Sequence, residues 1–592
     1  MQFITDFIEH IRKKQGYSQH QVIDGLCNQT YFSKLETGEN YPNKLLLDTI
    51  FSRLDIEEGH FEHLVSKEEF EIRKLRLLIL EKIACNELVE AKILFEQFKN
   101  DCDEEDKLEV QFANYIELIF SEITDEQRAT EYKKLIVMTV PQFRKKALSK
   151  LALSNAEVFL ISEYCIVSKD MKIAKQLLAY LRGRERFTKV KLKCATKLLC
   201  MFAKHYNFKQ SDLDELCKDI LEHKRKENDL FYFTKLLDIM DRDEQLELWR
   251  KTLLEVYDEY NINPNEDNLL IENVFSVQGY YVLGDVIKSR RNMLGLTNEQ
   301  LAEGICSKNT ISRVQNDGSR LQLINAEMVL ERLNMTGDLY TDNVKITDMM
   351  LYDKCAKLTW LVVKGRYDEA WEVLEFVKSR LDLSIKVNEQ YVAHKELGLR
   401  MRVPRAEEEK VSQANFLKEL EKILEITLPI KGIVKSKLRH FTKKEIVIMN
   451  TLMWHYGTNG NIKEMDKWRK ILEEYYSSDE IKIFHGRLYY SYKLQEASML
   501  GNLKEYDKST KIAKSILNNR RLTLDINSIS WEMYNVVWNY RQAIEDTREL
   551  VQKEIEVYLP LINQVKIVSE IFESKNTLHF SLKDIESLFK LD

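Results

Sequence analysis

The 592-residue sequence predicts an all-α protein made of two copies of a helix-turn-helix module, each followed by a curved stack of helices. Three observations carry this expectation. Six prolines and 18 glycines supply too few turn formers for a β-sandwich or an open α/β protein of this length. Apolar residues recur at i, i+3 and i+4, the spacing of one helix face. The chain also superposes on itself. A shift of 279 positions brings Gly16 onto Gly295, Cys27 onto Cys306, Ser33 onto Ser312, Arg53 onto Arg332, Leu54 onto Leu333, Ala91 onto Ala370, Gln111 onto Gln390 and Glu117 onto Glu396. After a nine-residue insertion the shift becomes 288, pairing Pro141 with Pro429 and Glu157 with Glu445.

These repeats divide the chain at 1–65, 66–279, 280–341 and 342–592, with the Asn, Pro and Asp cluster of 261–278 read as the join. A chain 44% hydrophobic and 31% charged buries real cores, which excludes disorder and fibre. The 89 basic and 95 acidic residues give a net charge of -6, so an anionic partner must be met by a local patch. Nine cysteines, an odd number without a C-x-x-C pair, argue against a zinc site and a disulfide framework and suit a reducing cytoplasm. The N-terminus has no continuous apolar h-region, and no run of about 18 apolar residues occurs, so neither secretion nor membrane spanning is expected.

In the second compact segment an apolar-periodic helix over 283–294 is stopped by Gly295, and Thr297 caps a short helix that ends at Gly304. Ser307 caps the next, Lys308 to Val314, which ends before Asn316-Asp317-Gly318, and 321–333 supply further apolar helix. The first segment matches step for step through Gly16, Ser18, Gly25, Asn28, the helix Gln29–Glu36 and Thr37-Gly38. This is helix-turn-helix spacing. Phe32 and Leu35, or Ile311 and Val314, face the preceding helix, which turns Gln29, Thr30, Ser33 and Lys34, or Lys308, Asn309, Thr310, Ser312 and Arg313, toward a DNA major groove. Lys and Arg suit guanine edges, and Asn and Gln suit adenine. Gln19 and Asn298, in the first turn of the preceding helix, are expected to hold a phosphate, and Lys44 and Arg320 to add backbone contacts. The competing reading is a helical packing module with a polar surface. Residues 1–65 carry six basic against ten acidic residues, whereas 280–341 balance at seven each, so the second module is the better reader.

In the long segments, Gly365-Arg-Tyr-Asp-Glu-Ala370 followed by Trp371, Leu374 and Val377 places small residues where two helices approach, and Gly460 and Gly501 open similar stretches. These resemble tetratricopeptide repeats without a strict period, so a degenerate α-solenoid is expected, with an ordinary helical bundle as the alternative. Trp531, Asn535 and Asn539 share a helix face at i, i+4 and i+8, with Tyr534 and Trp538 alongside and Tyr489, Tyr490 and Tyr492 on an earlier helix. Asn side chains donate and accept together, as an extended peptide requires. The same aromatics equally suit inter-repeat core. The matching stretch of the first half, Phe231 to Leu236, lacks the Asn pair, which points ligand sensing to the second half.

Both compact modules resemble the lambda-repressor-like (Xre) helix-turn-helix class. Leu26-Cys-Asn-Gln-Thr-Tyr-Phe-Ser-Lys-Leu-Glu-Thr-Gly38 and Gly304-Ile-Cys-Ser-Lys-Asn-Thr-Ile-Ser-Arg-Val-Gln-Asn-Asp-Gly318 are most similar to the Rgg/PlcR (RRNPP) type. The resemblance implies a peptide-sensing transcription regulator of quorum sensing: a DNA-binding domain followed by tetratricopeptide-like helices that bind a short signalling peptide in their concave face, usually as a homodimer. It further implies a buried Arg12–Glu36 pair in the first module. The second departs from the pattern, with Gln315 opposite Arg291. The duplication implies an intramolecular pseudo-dimer, or a homodimer with four heads, reading an asymmetric pair of half-sites on double-stranded DNA. The alternative is a helical protein-interaction scaffold, or an antitoxin-like or phage regulator without peptide sensing. No phosphate loop, dinucleotide fingerprint, H-E-x-x-H or G-x-S-x-G is present, so neither enzyme chemistry nor a cofactor or metal is expected.

Overall fold

The computed structural model describes residues 2–36, 43–56, 61–183, 188–203, 210–241, 243–265, 267–275, 279–317, 321–336, 344–346, 349–406, 410–484, 486–519 and 529–588. It is all-α apart from two three-residue strands. The first head comprises α1 (Gln2–Lys14), α2 (Gln19–Ile23), α3 (Gln29–Glu36) and α4 (Lys44–Arg53), and leads into β1 (His63–Val65). The first solenoid follows as α5 (Lys67–Ala84), α6 (Leu88–Asp101), α7 (Lys107–Phe120), α8 (Asp125–Thr139), α9 (Asn155–Ser168), α10 (Met171–Arg182), α11 (Lys189–Ala203), α12 (Gln210–Glu227), α13 (Phe233–Ile239), α14 (Glu244–Glu259) and α15 (Asp267–Phe275).

β2 (Tyr280–Val282) then opens the second head, α16 (Leu283–Leu294), α17 (Asn298–Ala302), α18 (Lys308–Asp317) and α19 (Leu323–Arg332). The second solenoid is α20 (Met349–Val363), α21 (Tyr367–Arg380), α22 (Lys386–Arg402), α23 (Gln413–Glu425), α24 (Ile430–Lys435), α25 (Lys443–Thr458), α26 (Ile462–Tyr475), α27 (Asp479–Phe484), α28 (Gly486–Asn502), α29 (Tyr506–Leu517), α30 (Ile529–Glu545), α31 (Gln552–Ile571) and α32 (Lys575–Leu588).

Local sequence sets the starts of these helices. Ser18, Thr124, Ser154, Thr297 and Thr442 each accept from the backbone of a Gln or Glu three residues on, whose side chain accepts from the cap's own N–H. The correspondence between the halves extends to buried bonds. Gln111 donates to the Leu135 carbonyl and Thr139 hydroxyl, and Gln390 to the Ile423 carbonyl and Thr427 hydroxyl. Each ties two consecutive helices together, α7 to α8 and α22 to the end of α23.

Among the described residues the halves meet at several places. β1 and β2 pair in parallel, His63 with Tyr280 through Val65 with Val282, and Asp48 of α4 accepts from the Tyr280 hydroxyl and bonds the His63 ring. The first head shares one apolar core with α20–α22, where the Phe7 and Tyr352 rings meet edge to face at 5.1 Å. At the far end Phe233 packs on Phe572, and Arg225 donates to the Ile571 carbonyl. The segment read as a join is not a bare linker: α15 folds back into the first solenoid, with Leu270, Val274 and Phe275 buried.

Candidate nucleic-acid interface and solenoid grooves

In each head the paired short helices are held together by the expected Phe32 and Leu35, or Ile311 and Val314, and by residues of the preceding helix. Val22, Ile23, Phe32 and Leu35 are buried in the first, and Leu301, Ala302, Ile311 and Val314 in the second. Asn28 and Ser307 cap α3 and α18. Gln29, Thr30 and Lys34 are exposed with Ser33 half-buried, and Lys308, Asn309 and Arg313 are exposed with Thr310 and Ser312 half-buried. Lys308 is held by Glu299 at 3.0 Å. Lys44, expected to add a backbone contact, is 8% exposed. Arg320 lies outside the described residues.

Arg12 and Glu36 form the ion pair implied by the resemblance, Nε to Oε1 at 2.9 Å, while Arg12 Nη1 donates to the Tyr17 carbonyl. Gln19 is drawn into this pair, its amide donating to Glu36. In the second head Arg291 Nη1 makes the matching bond to the Leu296 carbonyl, but its buried Nε has no partner among the described residues. Gln315 instead donates to Asn298 at 3.1 Å. Burial without a counter-charge pushes Arg291 down from the ordinary guanidinium value.

The two heads dock differently on equivalent parts of their solenoids. Arg53, 1% exposed, donates to the Val22, Asp24 and Thr139 carbonyls and to Glu157. Gly25, at φ 80°, presses so closely on the solenoid that a Cβ would strike the Thr139 carbonyl. Arg332, which matches Arg53 in sequence, donates to the Gln300, Leu301 and Glu303 carbonyls of its own head and is exposed. Its place on Glu445 is taken by Arg290 of α16, at 2.7 Å and completely buried. A Cβ at Gly304 would meet open space, whereas one at Gly432 would strike the Met293 carbonyl. The second head is therefore turned on its solenoid, seated through the end of α16 rather than through the α17–α18 turn. Ile324 and Met328, at 66% and 41% exposure, are left open, while Leu45, the counterpart of Ile324, is buried against Phe70, Leu77 and Tyr280.

A feature that local sequence reading missed lies beside the first head. The loop Asp103-Glu-Glu-Asp106 is joined to it by Asn43, which donates to Asp106, and by Lys107, which donates to the Gly25 carbonyl. Exposed Asp103, Glu104 and Glu105 thus stand next to the N-terminus of α4. The corresponding stretch of the second half, Asp382-Leu-Ser-Ile385, has lost three of the four carboxylates.

On the second solenoid, Trp531, Asn535, Trp538 and Asn539 gather at the seam between α30 and α28–α29 rather than on an open wall. Trp531 donates to Ser498, whose hydroxyl donates to Asn535, and Asn539 donates to Ser509 and Thr510. Asn535 and Asn539 are 6% and 2% exposed, and Asn539 Oδ1 faces Gly501. Each still has one amide end without a partner among the described residues, Nδ2 of Asn535 and Oδ1 of Asn539. Tyr489 is half-buried against Tyr476 at 5.3 Å. Glu532, buried on the same helix, is pushed up to about 8 by burial.

No helix among the described residues is long and apolar enough to cross a membrane. The nine cysteines, all among the described residues, form no disulfide. No family model matches the chain, and no curated protein matches it. Among solved structures the chain is similar to the crystal structure of Bacillus thuringiensis PlcR in complex with the peptide PapR7 and DNA, at 19% identity and a TM-score of 0.30, over 51% of this chain and 98% of that one.

Proposed function

We propose that the chain is a sequence-specific DNA-binding transcription regulator, an intramolecular pseudo-dimer whose second head is the principal reader. The observation that carries this reading is the pair of capped recognition helices, apolar inward and polar outward, on one scaffold. Lys308, Asn309, Ser312 and Arg313 of α18 read base edges, with Asn298 placed for a phosphate. Gln29, Thr30 and Lys34 of α3 read a different and weaker half-site. The acidic loop beside α4 supports this ranking, since carboxylates within a Debye length of about 8 Å oppose a phosphate backbone. Double-stranded DNA binding that falls steeply with salt, and that Arg313→Ala reduces more than Lys34→Ala, tests the assignment. Salt-insensitive binding, or none, refutes it.

The signal in this reading is a short peptide taken up by the second solenoid at Tyr489, Trp531, Asn535, Trp538 and Asn539, where the amide ends of Asn535 and Asn539 that have no partner among the described residues supply one donor and one acceptor a helical turn apart. Binding there favours one curvature of the solenoid and so one setting of the heads. Loss of peptide response in Asn535→Ala and Asn539→Ala supports this site, and an unaltered response removes it. The scaffold reading is favoured for the first head alone, by its burial between α20–α22 and the first solenoid.

A further inference from the structure

α15 packs against α5, α9 and α11, the leading helices of three hairpins of the first solenoid, and reaches α7 through Phe275. Its contacts are those of a bound ligand held at both ends. At its start Asp267 accepts from the Tyr232 hydroxyl at 3.1 Å and pairs with Lys197 of α11 at 3.3 Å. At its end the Phe275 ring stacks on Tyr115 of α7 at 4.7 Å and meets Phe159 of α9 edge-on at 6.0 Å. Arg76 of α5 closes the end, donating from Nε to the Phe275 carbonyl at 3.1 Å while its guanidinium lies over the Phe112 ring. Between these anchors Leu270 and Val274 are buried.

The second half does not repeat this arrangement. The positions of Arg76, Phe112 and Tyr115 are held there by Cys355, Tyr391 and His394. The geometry points to α15 as an internal ligand: the first groove recognises a short amphipathic helical segment with a carboxylate at its start and an aromatic residue at its end, and the chain's own residues 267–275 occupy it. The first solenoid is thereby closed to external peptides. Only four residues separate Phe275 from β2, so the seating of α15 also sets the length of the tether on the second head. This deepens the peptide part of the proposed function and rests on reading the solenoids as peptide grooves. Its test uses neither DNA nor an external signal, so failure here leaves the second-solenoid site to be judged separately.

The probe is a fluorescein-labelled synthetic peptide of residues 262–276, titrated by anisotropy into the intact chain and into Phe275→Asp. The expected result is saturable one-to-one binding to the variant, at least tenfold tighter than to the unaltered chain, and loss of that binding on adding Tyr115→Ala. Equal binding to both chains, or none to a variant whose circular dichroism is unchanged, overturns the proposal. Should Phe275→Asp fail to fold, hydrogen exchange of the unaltered chain decides. α15 amides exchanging at least tenfold faster than those of α7 and α9 support an occupant, and exchange in concert with them marks α15 as ordinary core and overturns it.

Discussion

Gln315→Glu in the second head rebuilds a pair whose finished form stands in the first. There, Arg12 and Glu36, 10% and 6% exposed, share two charge-assisted bonds at 2.9 and 3.4 Å. In the second head the Arg291 Nε is already buried and has no partner among the described residues, so the new carboxylate meets a desolvated donor without a second cost for burying the arginine. A hydrogen bond to a charged group contributes about 1.5–3 kcal/mol. The half-buried setting of Arg291 lowers that to about 1–2 kcal/mol, because solvent screens part of the attraction. Little is lost in exchange, since Asn298 can donate to the carboxylate as Gln19 does to Glu36. Amides of α16 and α18 are therefore expected to exchange roughly 5–30-fold more slowly in the variant, with those of α1 and α3 unchanged as the internal reference. The reverse change, Glu36→Gln, is expected to speed exchange in the first head by at least as much. Unchanged or faster exchange of α18 in Gln315→Glu refutes the reasoning.

The unequal docking of the heads predicts that Arg290→Ala costs about 3–5 kcal/mol by stranding buried Glu445, and that Arg53→Ala does the same through Glu157, while Arg332→Ala costs less than about 1 kcal/mol; denaturant unfolding followed by hydrogen exchange measures all three. His440, buried and facing Arg290, is pushed down to about 3 by desolvation first and by that charge second. Its folded value lies below its unfolded value of about 6.5, so its contribution is complete above pH 6.5 and is lost at up to about 1.4 kcal/mol per unit as pH falls toward 3. The slope of stability against pH between 6 and 4 is expected to flatten in His440→Asn. Glu104→Lys with Glu105→Lys removes the acidic flank of the first head, and is expected to raise DNA affinity with a salt dependence steeper by one to two units, read from binding at several salt concentrations.

What the sequence disclosed and what it withheld divide by range. Caps, stops and the inward apolar pairs of both heads act within three or four residues, and Ser18, Asn28, Thr297 and Ser307 stand where local reasoning put them, while the Arg12–Glu36 pair, 24 positions apart, is the one the resemblance implied. The docking of the heads depends on partners 104 and 155 positions apart, Arg53 with Glu157 and Arg290 with Glu445, and on which of two arginines wins one carboxylate. The repeat alignment marks Arg53 and Arg332 as equivalent, and the structure gives them different partners. β1 and β2 carry no local strand signal, because three-residue segments 217 positions apart find their pattern only in each other. Residues 261–278 read as a join from their turn formers, yet Leu270, Val274 and Phe275 supply the apolar face of α15. The aromatic and Asn cluster of α30 left two readings open, groove or inter-repeat core, and its bonds to α28 and α29 lie at the seam.

Selection from a random-sequence DNA pool, run with the unaltered chain beside Lys34→Ala and Arg313→Ala, tests the central claim most directly. The account predicts an asymmetric two-part motif whose stronger half is lost with Arg313→Ala and whose weaker half blurs with Lys34→Ala. A perfectly palindromic consensus contradicts two unlike heads, and the absence of any enriched motif contradicts sequence-specific DNA binding.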